Sequence, residues 1–182
     1  MIRSALAMAM ALALAACSPP APETTTAKSD TPAASQTEEA AHVNPLLTAS
    51  TLPMQAPPFD KIQDGDYQPA IEQGMKDHLV EIEAIANSTE APTFANTIEA
   101  MEKTGALLDR SARTFFAIVQ ANTNDTLQAA QVELAPKLAE HTDAIYLNDK
   151  LFQRVKSIYD ARANNGLDPV QLRLVETSYD NF

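Results

Sequence analysis

The side chains best suited to hold a metal or attack a carbonyl are three histidines, His42, His78 and His141, and a single cysteine, Cys17. A hydrolytic zinc site places two imidazoles one helical turn apart with a carboxylate beside the metal-bound water, the spacing of His-Glu-x-x-His. No two of these histidines stand in that relation. The stretch "HLVE" from His78 to Glu81 is like part of an inverted zinc motif, but Ile82 occupies the place of the second histidine, and His78 reads as a surface histidine of a helix. Glu140-His141 lacks a second imidazole in the same way. Ser111 and Ser178 fall in helical patterns without a Ser/His/Asp arrangement, and no glycine-rich phosphate loop occurs. The carboxylate pairs Glu81 and Glu83, and Glu38 and Glu39, read as solvated charge. The expectation is therefore that this chain carries neither a catalytic set nor a metal-ligand set of its own.

Cys17 has a different context. Arg3 supplies a positive start, and residues 4–16 form an apolar run shorter than the about 20 residues that span a bilayer core. The run ends in Leu14-Ala15-Ala16-Cys17, which resembles the lipobox of bacterial lipoproteins. That resemblance implies a diacylglyceryl group on the Cys17 thiol and cleavage that leaves Cys17 as the first mature residue. As the lone cysteine it cannot form an intrachain disulfide, which leaves the thiol free for the lipid. Two or three acyl chains, at about 0.8 kcal/mol per buried CH₂, hold a protein firmly to a membrane. Ser18 rather than Asp after the cysteine favours, by the same resemblance, the outer membrane, with the protein facing the periplasm.

The elements that would have to position any chemistry begin later. Residues 17–41 are rich in Pro, Thr, Ser, Ala and Glu and hold no large apolar side chain. Such a segment cannot offset its ordering entropy by burial, and it reads as a disordered tether. The organisation expected is thus a signal peptide over 1–16, a tether over 17–41 and a folded part over 42–182. The formal net charge of −11 argues against nucleic acid as a partner, because phosphates need Lys and Arg. Glycine is scarce, at four residues, while Ala, Leu, Glu and Gln are plentiful, which favours helices.

Residues 42–61 are broken by Pro45, Pro53, Pro57 and Pro58 and read as an extended arm whose apolar residues pack across a helical body. Helices are then predicted over about 69–86, with the stripe Ile71, Met75, Leu79, Ile82 and Ile85, and over about 97–121, with Asn96 as cap and Gly105 at a bend or close contact. Gly74 should weaken the first of them by about 1 kcal/mol relative to Ala. A third helix reaches from the cap Asp125 to about residue 146, and Pro136 inside it predicts a kink or two shorter helices. A fourth covers about 149–164. Asn165 or Gly166 is placed to take a left-handed conformation, and Asp168 with Pro169 to start a fifth helix. No strand is required, so the fold class is all-α, with antiparallel neighbours joined by short loops.

Three stretches carry a family resemblance. "NPLLTASTLPMQAPPFDKIQDGDYQPAIEQGM" (44–75), "NTIEAMEKTGALLDRSARTFFAIVQANTND" (96–125) and "LAPKLAEHTDAIYLNDKLFQRVKSIYDAR" (134–162), followed in order by "GLDPVQLRLVETSYDNF", resemble the N-terminal region of peptidyl-dipeptidases of the Dcp type. These are zinc metallopeptidases of the thimet-oligopeptidase-like family. The resemblance implies an almost wholly helical, two-lobed fold around a deep channel, of which this region would be part of the wall. It implies removal of dipeptides from the C-terminus of oligopeptides, with zinc activating the water and the motif glutamate acting as base. Members are much longer and carry the zinc motif in their C-terminal half, so no catalytic or zinc residue transfers to a position of this chain. The last stripe, Val170, Leu174, Val175, Tyr179 and Phe182, lacks a stop signal, and Phe182 is expected to be a truncation point with an apolar face awaiting a partner. Two other readings fit the same residues: a standalone helical lipoprotein that binds a partner, and an oligopeptidase of this family that cuts internally.

Overall fold

The computed structural model describes residues 42–182. The signal peptide over 1–16, the tether over 17–41 and the lipobox residues Leu14, Ala15, Ala16 and Cys17 lie outside the described residues. Among the described residues every regular element is helical, in keeping with the all-α expectation.

The arm is pinned rather than free. Asn44 caps a short 3-10 turn, Pro45–Leu47, which drops Leu46 into the core. The Arg110 guanidinium donates to the carbonyls of Leu46 and Leu47, and His42 Nε2 donates to both carboxylate oxygens of the buried Asp66, at 2.8 and 2.9 Å. Beyond Leu46 the arm is less buried than its apolar content predicts. Leu47, Leu52, Met54 and Phe59 are exposed, and Met54 and Gln55 hold left-handed backbone with φ of 58° and 55°.

Helix α1 is Tyr67–Ala86, close to the predicted span. Its Tyr67 meets Phe115 at 5.5 Å, and Gly74 and His78 lie against Leu108 and Gly105. Residue numbers rise along α1 as they fall along its neighbour, so the two helices are antiparallel. That neighbour is α3, Ala106–Ala121. A Cβ on Gly74 would stand 2.6 Å from the backbone nitrogen of Leu108. Gly74 is therefore a crossing point where two helix backbones nearly touch, and the propensity it costs α1 is offset by that approach.

The single helix predicted over 97–121 is two. The chain enters through a wide π-helical turn, Phe94–Ile98, continues into the short α2, Glu99–Glu102, and breaks at Gly105 with φ +73° before α3 starts. The cap is Thr93, not Asn96. Thr93 Oγ1 accepts from the Asn96 backbone N–H, and Asn96 Oδ1 accepts in return from that of Thr93, a reciprocal box.

Helix α4, Asp125–Tyr146, is continuous through Pro136, without the predicted division. Its cap is Asn124, whose Oδ1 accepts from Leu127 N, rather than Asp125. Pro136 is exposed on the solvent side, where the lost backbone bond does not leave a group stranded in the core. Helix α5, Asp149–Ala161, stops short of the predicted residue 164, and Asn148 caps it. Gly166 takes the left-handed turn at φ +63°, and α6, Pro169–Asp180, begins with the predicted Asp168 cap and first-turn Pro. Phe182 is half-buried, edge-on to Tyr146 at 5.2 Å and 5.8 Å from Phe152, while Val170 at the start of the stripe is exposed.

Gln68, Glu72 and Glu83 of α1 bond Glu133, Lys137 and Asn148 at and just beyond α4, so α1 and α4 run parallel. With α3 between them in the chain, the three helices run up, down and up. One core lies where α1, α3 and α4 meet around Ile71, Phe115, Leu127 and Leu134. Others join α1 to α5 and α5 to α6, around Ile82 and Leu151 and around Ile98, Val155 and Val175.

Candidate functional site

The up-down-up layer brings together the two histidines that spacing kept apart. His78 projects from the middle of α1 and His141 from the last third of α4, and His78 Nδ1 lies 3.0 Å from His141 Nε2. His78 Nε2 sits 2.9 Å from Thr104 Oγ1, and that hydroxyl donates to the Met101 carbonyl at 2.6 Å. The Thr104 proton is thereby committed, so Thr104 accepts and His78 Nε2 carries the hydrogen. His78 Nδ1 is left as an acceptor, and His141 Nε2–H donates to it. One proton arrangement satisfies the whole line, and it leaves both rings neutral. At its far end His141 Nδ1 is buried without a partner among the described residues.

The turn between α2 and α3 closes over this line. Gly105 N donates to Glu81 Oε2 at 2.7 Å, and a Cβ on Gly105 would lie 2.9 Å from His78 Nδ1. Positive φ and the absence of a side chain are both required there. Beside it opens a cavity of about 770 Å³, lined by both histidines, Thr104, Leu108, Phe116 and Leu138. Burial pushes the His78 pKa down, with the nearby Glu81 carboxylate opposing it in part. Burial lowers that of His141 as well, and His78 adds to the effect.

His78 is thus a half-buried junction between helices rather than the surface residue expected from "HLVE". The residue pattern could not reveal the partnership, because it depends on the parallel register of α1 and α4. His42, the third imidazole, is occupied with Asp66 at the arm. Ser111 and Ser178 are both buried, the first without a hydrogen-bond partner among the described residues and the second bonded to the Leu174 carbonyl one turn back. Glu81 holds Gly105, and Glu83 accepts from Asn87 and Asn148.

No group of three or more His, Cys, Asp or Glu side chains that could hold a metal is found among the described residues. The two rings face each other through a hydrogen bond, and neither Glu81 nor Thr104 is left with a role to fill at a metal. A zinc site does not fit these residues, and no zinc-dependent step is assigned to them.

No protein-family model matches the chain. Two curated proteins are similar to it. The dipeptidyl carboxypeptidase of Salmonella typhimurium is 47% identical over 139 residues, covering 76% of this chain and 20% of the relative. The dipeptidyl carboxypeptidase of Escherichia coli is 44% identical over 140 residues, covering 77% of this chain and 21% of the relative. This chain is related to dipeptidyl carboxypeptidases. It spans about a fifth of the length of those relatives. The similarity agrees with the resemblance read from residues 44–182.

Proposed function

We propose that residues 42–182 serve as an N-terminal helical scaffold, part of the channel wall, in a zinc metallopeptidase that releases dipeptides from the C-terminus of oligopeptides. The observation that carries this reading is the identity of 47% and 44% to two dipeptidyl carboxypeptidases along most of this chain. The geometry is in accord: His78, His141, Thr104 and Glu81 join helices and the turn between α2 and α3, as a supporting part requires. In this reading zinc and its ligands belong to sequence beyond these residues.

Two experiments test it. The coding sequence around residue 182 should continue into a segment with a His-Glu-x-x-His helix; a stop codon directly after Phe182 with a stable product overturns the reading. The full-length product should then release dipeptides in succession from a peptide with a free C-terminus and leave the C-terminally amidated peptide intact. Cleavage of both at an internal bond would point to an oligopeptidase instead. The 182-residue chain alone should hydrolyse neither.

The envelope location is part of the same proposal. Residues 1–16 act as a lipoprotein signal peptide, Cys17 carries the lipid, 17–41 form the tether, and the protein faces the periplasm from the outer membrane. Mass spectrometry of the mature N-terminus should find an acylated Cys17. An unmodified N-terminus at another residue, with the protein in the soluble fraction, overturns this part alone.

A second reading, a helical interaction module without hydrolytic activity, is favoured by one observation: the fully exposed Met54, 100% accessible at the tip of the arm, with Leu52 and Phe59 exposed nearby. Sedimentation and dye binding of the purified segment separate a defined monomer or oligomer from a chain with sticky apolar surface.

A further inference from the structure

We propose that the His78–His141 contact is an acid-released latch: protons taken up by the pair part α1 from α4 at this point and free the Thr104–Gly105 turn that borders the cavity.

The inference rests on proton counting. In the neutral line, Thr104 donates to Met101 O, His78 donates to Thr104, and His141 donates to His78. A first added proton goes onto His141 Nδ1, the one ring nitrogen free to take it; the charge can then be shared through the hydrogen that bridges the 3.0 Å gap, but the new N–H is buried with no acceptor among the described residues. A second proton sets N–H against N–H across the same gap and puts two like charges in a half-buried site. That contact cannot survive. The rings must separate, and His78 is also the group that holds Thr104.

The surrounding charges do not rescue the pair. On α1, Glu81 is the carboxylate that acts on His78, but one of its oxygens is already engaged by Gly105 N. Along the cavity edge Asp109 is paired with Arg113, and Lys103 with Glu99, while Glu102 is exposed. On the far side of His141, Lys137 is paired with Glu72, and Lys76 and Glu140 are exposed. The charged groups facing the site thus neutralise one another or stand in water, where they are screened. Burial of both rings, which resists their protonation, moves the release to lower pH than the titration of free imidazole.

The test uses the 182-residue chain and needs no peptidase activity. Imidazole nitrogen shifts follow the two rings by NMR from pH 7.5 to 5.0. The protection factor of the Gly105 amide, which divides out the pH dependence of intrinsic exchange, follows the turn. The expected result is that both rings are still mainly neutral at pH 6.5 and that Gly105 protection falls at least tenfold as they take up protons, while that of Leu151 in α5 holds. Protonation of both rings with Gly105 protection unchanged overturns the latch, as does titration of both in the free-imidazole range. His141→Phe, which keeps a ring but takes no proton, should remove the acid-induced fall; the full fall retained in that variant also overturns it. The wild-type measurement decides the matter even where the variant does not fold.

Discussion

Arg154 and the His78–His141 pair are both polar groups packed between helices, yet one spreads four bonds over neutral oxygens and the other hangs on one hydrogen between two rings whose burial disfavours charge. Arg154, only 6% exposed on α5, donates to the carbonyls of Ser88 and Glu90, to Asn96 Oδ1 and to Thr97 Oγ1. Its planar fork gathers the whole loop between α1 and the π-helical turn onto α5, using neutral oxygens in place of a carboxylate. The histidine pair joins α1 to α4 with a single shared hydrogen and two rings that resist protonation. A guanidinium that gives four bonds through its two terminal nitrogens, with Nε left without a partner among the described residues, makes a rivet that depends on no second ionisable group. Two imidazoles sharing one hydrogen make a joint whose strength depends on the proton supply.

The sharpest way to break the contrast is Arg154→Met. It removes four hydrogen bonds made by one buried guanidinium and should cost about 3 kcal/mol or more, read as a shift in the urea midpoint followed by circular dichroism. Arg154→Lys should recover less than half of that, because an ammonium cannot present the same fork. Next is Gly74→Ala, where a Cβ 2.6 Å from the Leu108 backbone forces α1 and α3 apart. A loss of about 2 kcal/mol is expected despite the better helix propensity of alanine. Gly105→Ala combines a strained φ with contact on the His78 ring and should cost about 1 kcal/mol or somewhat more. It should also alter the titration of His78, which Gly74→Ala should leave alone.

Acid sharpens the same comparison. The folded-state pKa values of His78 and His141 lie below the free value of 6.5, so the unfolded chain binds more protons below that pH. Their contribution to stability is fully present above pH 6.5 and is lost as pH falls from there through the depressed folded values. The stability of wild type should slope downward in that range. His78→Gln/His141→Gln, although less stable at pH 7.5, should slope less, and Arg154→Met should slope like wild type. Urea titrations at pH 7.5, 6.5 and 5.5 check all three. The smallest effect is that of Lys137→Ala, which removes an exposed ion pair with Glu72 and should leave the urea midpoint unchanged within error.

Much of the fold was legible in the residues, and the failures share a cause. The helices at 67–86, 149–161 and 169–180 announce themselves through apolar stripes and local stop or start chemistry, such as Gly166, Asp168 and Pro169. Gly105 stands at the bend and close contact that its type signals, but that the bend is a full break was masked because the apolar stripe continues across it, from Ile98 and Met101 to Leu108. The cap at Thr93 was overlooked because its partner three residues on is Asn96 instead of the usual Glu or Gln. Pro136 falls on the exposed side of α4, a fact only packing reveals. The His78–His141–Thr104 line was invisible for a stronger reason. It joins three segments distant along the chain, and nothing local to any of them encodes the register of α1 on α4.

The stack between α5 and α6 has a practical consequence. Tyr159 and Tyr179 lie face to face with centroids 3.9 Å apart and planes within 10°, with the Arg162 guanidinium 3.7 Å over the Tyr159 ring. The chain contains no tryptophan, so nothing outshines its four tyrosines in the near ultraviolet. Two phenol chromophores held that close should couple their transitions and give a signed doublet in circular dichroism. That doublet is an intrinsic optical gauge of whether α6 is seated on α5, readable without a label and independent of the histidines at the other end of the layer.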